Sequence, residues 1–127
     1  MAELGKQLHV EVVDEVGKLS EVTKALADAG VNIRAAVAWV EGGNGHMRLV
    51  TDDNDRACEA MAPLATACAM GEVVTALMPN EVGALNTASG KLADAGIGIN
   101  LMYASAAGNE CLAVLDTTDN AKAAEVL

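Results

Sequence analysis

Phenylalanine is missing from this 127-residue chain, and the other large aromatics number one Trp and one Tyr. Basic residues are few as well: eight Lys and Arg stand against eighteen Asp and Glu, a formal net charge of −10. Nucleic acids are bound through basic patches and, when single-stranded, through stacking aromatics. Both are lacking, so nucleic acid is excluded as a partner class. The acidic balance itself favours solubility and says nothing about fold. Cysteine is limited to Cys58, Cys68 and Cys111, an odd number without CxxC spacing. That pattern leads to an expectation of reduced thiols in a cytoplasm, not of a disulfide framework. No apolar run is long enough to span a bilayer. The opening Met1-Ala2-Glu3-Leu4-Gly5-Lys6 lacks the apolar core of a signal peptide, so no membrane partner is expected. What the chain does have is apolar content, 52% of its residues, which excludes a disordered chain.

It also has one pentapeptide twice. Leu26-Ala27-Asp28-Ala29-Gly30 returns 66 positions later as Leu92-Ala93-Asp94-Ala95-Gly96. The same offset carries Glu15-Val16-Gly17 onto Glu81-Val82-Gly83, Leu19 onto Leu85, and Ile33 onto Ile99. It carries Asp53-Asn54 onto Asp119-Asn120, and the register holds without a gap from Leu8/Val74 to Met61/Leu127. One module has been duplicated. Each copy is small enough that its own core is marginal, so the copies are expected to pack side by side. The expected domains are residues 1–72 and 73–127.

Within copy one, residues 8–13 alternate as a half-buried strand does. Leu19, Val22, Leu26 and Ala29 then recur at helical spacing, with Gly30 as the stop. Residues 31–40 have apolar odd positions, which predicts a second strand with that face on the core. Glu41-Gly42-Gly43-Asn44-Gly45 is hairpin chemistry, and residues 46–51 form the return strand. Asp52-Asp53-Asn54 offers N-caps to a second helix carrying Ala57, Ala60 and Met61, which Pro63 should end. A short strand within residues 67–72 completes the order, and copy two repeats it from Val73. The predicted fold class is α+β: two ferredoxin-like βαββαβ repeats, antiparallel sheets with helices on one face. Copy two runs out before its closing strand, so that edge is either trimmed away or covered by something else. Alternation also sorts the face away from the helices. In copy one it is expected to carry His9, Glu11, Arg34, His46 and Arg48; in copy two Thr75, Leu77, Met102, Ala104, Leu112 and Val114. The second set is largely apolar, which predicts a homodimer burying it.

Gly17-Lys18-Leu19, followed by Leu26-Ala27-Asp28-Ala29-Gly30-Val31-Asn32-Ile33, resembles the signature of ACT domains. Copy two matches again with Gly83-Ala84-Leu85 and residues 92–99, and Tyr103-Ala104-Ser105 resembles a strand end of free-standing tandem ACT proteins. The resemblance covers nearly the whole chain. It implies a non-catalytic regulatory module that binds an amino acid, works through oligomerisation, and serves a separate metabolic enzyme. It further implies that ligands lie between two ACT domains, where the first strand-to-helix loop of one faces the start of the second strand of the other. Two departures are visible. Val16 and Val82 stand where the family usually has Pro, and Gly98 replaces in copy two the ligand-facing Asn32 of copy one, with Asn100 two residues late.

The chemistry of such a site follows from the residue types. A Gly just before a helix lets unpaired backbone N–H groups face a ligand carboxylate. Asp14 or Asn80 offers an oxygen to the ligand's ammonium group, and an Asn amide both donates and accepts. The better expected site combines Asn80, Glu81, Val82, Gly83, Ala84 and Leu85 with Asn32 and Ile33. The poorer one pairs Asp14, Gly17 and Leu19 with Gly98, which has no side chain to offer. The alternative is a ligand-free dimerisation module, in which the glycines serve only turn geometry and the leucines only the core.

Other groups carry less. His9 and His46 share a face on adjacent strands, which invites a metal, though solvated sheet histidines are the ordinary case. Cys58 and Cys111 read as small apolar fillers. Residues 52–55 lack the Gly and terminal Glu of a calcium loop, so capping is the better account. No catalytic constellation, cofactor motif or phosphate loop stands at a defensible spacing.

Overall fold

The computed structural model describes residues 2–127. They form two compact units: an N-terminal unit, Lys6–Gly71, and a C-terminal unit of Glu72–Leu127 together with residues 2–5. The chain runs through β1 (Ala2–Val13), α1 (Lys18–Asp28), β2 (Ile33–Glu41), β3 (Asn44–Thr51) and α2 (Asn54–Met61). It repeats with β4 (Ala67–Pro79), α3 (Ala84–Asp94), β5 (Ile99–Ala107), β6 (Glu110–Thr117) and α4 (Asn120–Val126). In the N-terminal unit β3 pairs antiparallel with both β2 and β1; in the C-terminal unit β6 does the same with β5 and β4. This is the ferredoxin-like α+β order, present twice.

Helix phase places the core. α1 buries Val22 and Leu26, and α2 buries Ala57 and Met61. Leu8, Val10, Val12, Met47 and Leu49 complete that cluster from the strands. The C-terminal unit gathers Leu92 and Ala123 with Val74, Ala76, Ala113 and Leu115. α1 and α3 stop where the two glycines stand. Gly30 and Gly96 take φ of 74° and 71°, and Val31 and Ile97 each donate back 2.9 Å to Leu26 and Leu92. That is the 6→1 bond of a Schellman cap, which needs a left-handed residue and so favours Gly. Asp53 and Asp119 cap α2 and α4 by accepting from Arg56 N and Lys122 N. The neighbouring Asn54 and Asn120 donate to the carbonyls of Lys6 and Glu72, where β1 and β4 enter their units.

Four expectations are changed. β1 begins at Ala2, six residues before the visible alternation starts at Leu8. β4 is one continuous strand of 13 residues, where a closing strand and a restart were expected. Nothing in residues 67–79 forces a turn, and a lone Gly71 is compatible with extended backbone. Residues 2–5 therefore go with the C-terminal unit, and those from Lys6 to Gly71 with the N-terminal one. Ala2 packs on the C-terminal core and Cys68 on the N-terminal core. The edge that copy two's own chain leaves without a closing strand is thus served by the start of β1.

The third change is the outer face of the sheets. A bulge between Ile33 and Ala35 shifts the register of β2, and another between Ile99 and Leu101 does so in β5. An extra residue reverses the side that every later residue faces. Trp39 pairs with His46 and Val37 with Arg48, so Val37 and Trp39 lie on the outer face and not on the core. Arg34 sits in the bulge. In β5 the outer positions are Leu101, Tyr103 and Ser105; Met102 pairs with Leu115 and packs on the core, and Ala104 pairs with core residue Ala113.

The fourth concerns cysteine. Cys58 of α2 and Cys68 of β4 are joined in a disulfide with a Cα–Cα distance of 6.3 Å, inside the usual span for such bridges. They are neither reduced thiols nor mere fillers. The pairing was hidden because their sequence spacing matches no motif; a helix end and a strand start meet only in the folded unit. Cys111 is free. Among the described residues, no helix is long and apolar enough to cross a membrane.

Candidate functional site

The loop between β1 and α1 is built by Gly17, and the loop between β4 and α3 by Gly83. Their φ angles are 89° and 88°, values that L side chains rarely adopt. Each occupies the N-cap position of its helix, and neither helix has a side-chain cap there. The turn is closed by backbone alone, Lys18 N to Glu15 O at 3.2 Å and Ala84 N to Glu81 O at 3.2 Å. The remaining N–H groups of the first turn have no intrahelical acceptor by geometry and carry the positive end of the helix dipole. The preceding residues, Val16 and Val82, are fully exposed.

A cavity of about 230 Å³ adjoins the second loop. Met78 and Pro79 supply apolar wall, Ala84 and Thr87 stand on the first turn of α3, and Glu81 and Lys91 bring opposite charges to the same space. That volume is below the roughly 300–1,000 Å³ of drug-sized sites, so the occupant must be small. A cavity of about 220 Å³ adjoins the first loop, lined by Asp14, Glu15, Lys18, Leu19, Trp39 and His46 among others. Lys18 there holds Glu21 at 3.1 Å and Glu15 at 3.8 Å, and the Glu21 hydrogen bond raises its pKa.

The expected site residues fall into separate groups. Asp14, Gly17 and Leu19 come together at the first loop, and Glu81, Val82, Gly83 and Ala84 at the second. Leu85 lines a separate, much smaller pocket with Ile99 and Met102. Asn80 is committed to its own unit: its Nδ2 donates to Gly108 O at 2.9 Å and its N–H to Asn109 O at 2.9 Å. The side-chain oxygen is the acceptor it has to offer. Asn32 and Ile33 are not brought to the loop of their own unit. β2 runs parallel to β1, because both are antiparallel to β3, so its start lies at the other end of the sheet. Asn32 is exposed there, its N–H donating to Asp52 Oδ1 at 3.0 Å while its carbonyl accepts from Asp52 N at 3.1 Å. Copy two repeats this latch with Gly98 and Thr118, both bonds at 2.9 Å. A Cβ at Gly98 would meet Thr118 Cγ2 at 3.1 Å, so the small residue fits its partner. Asn100 falls in the β5 bulge.

Sequence reasoning missed Thr87 and Lys91 of the second cavity and Trp39 of the first. Thr87 and Lys91 continue the loop-facing side of α3, one and two turns beyond Gly83. Trp39 stacks on His46, with centroids 5.3 Å apart, and on His9 at 6.2 Å. The hairpin was the available signal: Trp39 and His46 flank its two-residue turn symmetrically, which pairs them across the strands.

Comparison with known proteins follows this geometry. A sequence profile of the ACT domain pair matches residues 4–127. A solved protein from Bacteroides thetaiotaomicron is 31% identical, with a TM-score of 0.89 over 99% of this chain and 88% of its own. The ligand-free regulatory subunit of aspartate kinase from Thermus thermophilus is 15% identical, with a TM-score of 0.74 over 98% of this chain and 93% of its own. The Thermus flavus regulatory subunit is 19% identical, with a TM-score of 0.71 over 98% and 90%. The search of curated protein sequences returned no match. With both loops, both sheets and nearly every residue accounted for, the chain belongs to the ACT domain pair family.

Proposed function

We propose that this ACT pair is a non-catalytic regulatory module that binds a free amino acid and transmits its presence to a separate metabolic enzyme. The observation that carries the reading is the second loop. An uncapped helix N-terminus behind Gly83 suits a carboxylate. Beside it, Glu81 and Lys91 offer opposite charges to one small cavity, a match for a zwitterion. Asn32 stands too far along its own sheet to serve the loop of its own unit. We infer that a site using both parts takes Asn32 and Ile33 from a neighbouring chain, set against the loop of residues 80–85. The loop of residues 14–19 would take Gly98 of a neighbouring chain in the same way, and Gly98 has no side chain to offer. One good site per chain follows. The regulatory subunits of aspartate kinase share the fold and supply the precedent for a separate catalytic partner. We place the protein in the cytoplasm, where free amino acids and their metabolic enzymes are found.

Calorimetric titration against the twenty amino acids tests this. One of them should bind at one site per chain. Asn32→Ala should weaken it several-fold to a hundredfold, since losing a buried hydrogen-bond partner costs about 1–3 kcal/mol. Two equal sites per chain would refute the asymmetry, and unchanged affinity would remove Asn32 from the site. Absence of any binding would leave the second reading, a ligand-free dimerisation module.

That second reading has its own support in the outer face of β4–β6–β5. Leu77 is 49% exposed there, beside Leu101, Tyr103 and Leu112. An apolar face of this kind is ordinarily covered. We therefore expect a homodimer under either reading. Light scattering at micromolar concentration should give twice the chain mass, and Leu77→Lys should return it to the monomer value. A wild-type monomer would defeat the assembly.

A further inference from the structure

The N-terminal unit holds a second cluster that amino-acid binding does not use. His9 and Glu11 project from β1 on the outer face, and His46 projects beside them from β3, directly across from Glu11. His9 Nε2 lies 3.3 Å from His46 Nδ1, and His46 Nδ1 lies 3.6 Å from Glu11 Oε1. One ligand atom from each of the three falls within 4.8 Å of the others. Ligands on zinc at ~2.0–2.2 Å in a tetrahedron stand about 3.3–3.6 Å from one another. Two of the three edges already have that length, and a small rotation of the flexible Glu11 side chain closes the third.

We propose that His9, His46 and Glu11 bind one divalent late first-row transition ion, of the zinc, nickel or copper class, leaving at least one coordination position to solvent or a small ligand. Two imidazoles and one carboxylate suit these ions over calcium or magnesium, which prefer all-oxygen sets. All three residues are partly exposed, which gives the ion a route in. Trp39 stacks against both imidazoles and limits their rotation, so the rings are pre-placed. Arg48, paired across from His9, is the opposing charge, and Glu11 offsets it. The site is confined to one repeat. At the 66-residue offset, Thr75, Leu77 and Leu112 replace His9, Glu11 and His46, so copy two has no ligand at any of these places.

The lone tryptophan makes the test direct, because Trp39 is the sole indole in the chain. Titrating the full chain with NiCl₂ or CuCl₂ should quench its emission saturably, with reversal by EDTA, and calorimetry with ZnCl₂ should give one ion per chain. His46→Ala and His9→Gln should each weaken binding by about a hundredfold, the upper range for losing an outer-shell partner and a floor for losing a ligand. If either variant loses its far-ultraviolet dichroism, Glu11→Gln keeps shape and removes only the charged ligand, with at least about a tenfold loss expected. Wild-type protein that shows no saturable quenching below millimolar metal would overturn the proposal. So would quenching that these substitutions leave unchanged. Either result would make the short His9–His46 distance a plain hydrogen bond.

Discussion

Replacing Leu26 by Ala should lower the unfolding free energy by about 2–5 kcal/mol, the range for a buried leucine in a packed core. Leu26 has no exposed surface and touches the cluster that joins α1 to β1 and β3. Its 66-residue counterpart Leu92 is 1% exposed on α3. The duplication predicts a loss of the same order there, although the surroundings differ. The C-terminal core carries Ala76 and Ala113 where the N-terminal one carries Val10 and Met47. Smaller neighbours have less reach to collapse into the space, so Leu92→Ala should fall in the upper half of the range. Urea unfolding followed by circular dichroism measures both. A domain of this size has roughly 5–15 kcal/mol in total, so either change consumes much of its margin. A loss below about 1 kcal/mol at Leu26 would mean that the side chain is not enclosed as described.

Removing the Cys58–Cys68 bridge is the second large effect. The bond closes a short loop, ten residues apart in sequence, which by chain entropy stabilises the folded state by about 2–3 kcal/mol. Cys68→Ser, or an excess of reductant, should lower stability by that amount, and the loss should be confined to the N-terminal unit. Copy two places Ala124 where copy one has Cys58, and Ala2 occupies the place of Cys68 at the start of β1; both alanines pack on the C-terminal core. That unit has no bridge to lose. Denaturation with and without dithiothreitol reads the difference, and hydrogen exchange assigns it to a unit. The result also bears on location. A reducing cytoplasm would hold the pair as thiols, so the reduced form would be the working one there. Equal stability with and without the bridge would mean that strain in the native state offsets the entropy gained.

Much of this architecture was legible in the chain because its signals are local. Gly17 and Gly83 were marked by repetition, and both adopt the left-handed backbone that only glycine takes without strain. Gly30 and Gly96 end their helices because a helix end requires the same conformation. Val22 and Leu26 were readable as core because helical phase depends only on spacing. The loops before α1 and α3 were legible for the same reason, since a helix N-terminus is defined by the residues that form it.

What depended on tertiary structure was every feature set by register or by contact between distant segments. Trp39 was expected on the core face, but one extra residue at Arg34 turns it outward onto His9 and His46. A strand's side-chain period is two residues, so a single bulge reverses every assignment beyond it. The partnership of Cys58 with Cys68 and the placement of residues 2–5 with the C-terminal unit have the same character. By themselves Ala2, Leu4 and Gly5 state no preference between the two units. The sequence alone determined the duplicated elements and their ends, because backbone conformation at each is decided within a few residues. Only the fold decided which strand edges, sulfurs and imidazoles meet, because those energies exist only once distant segments are in contact.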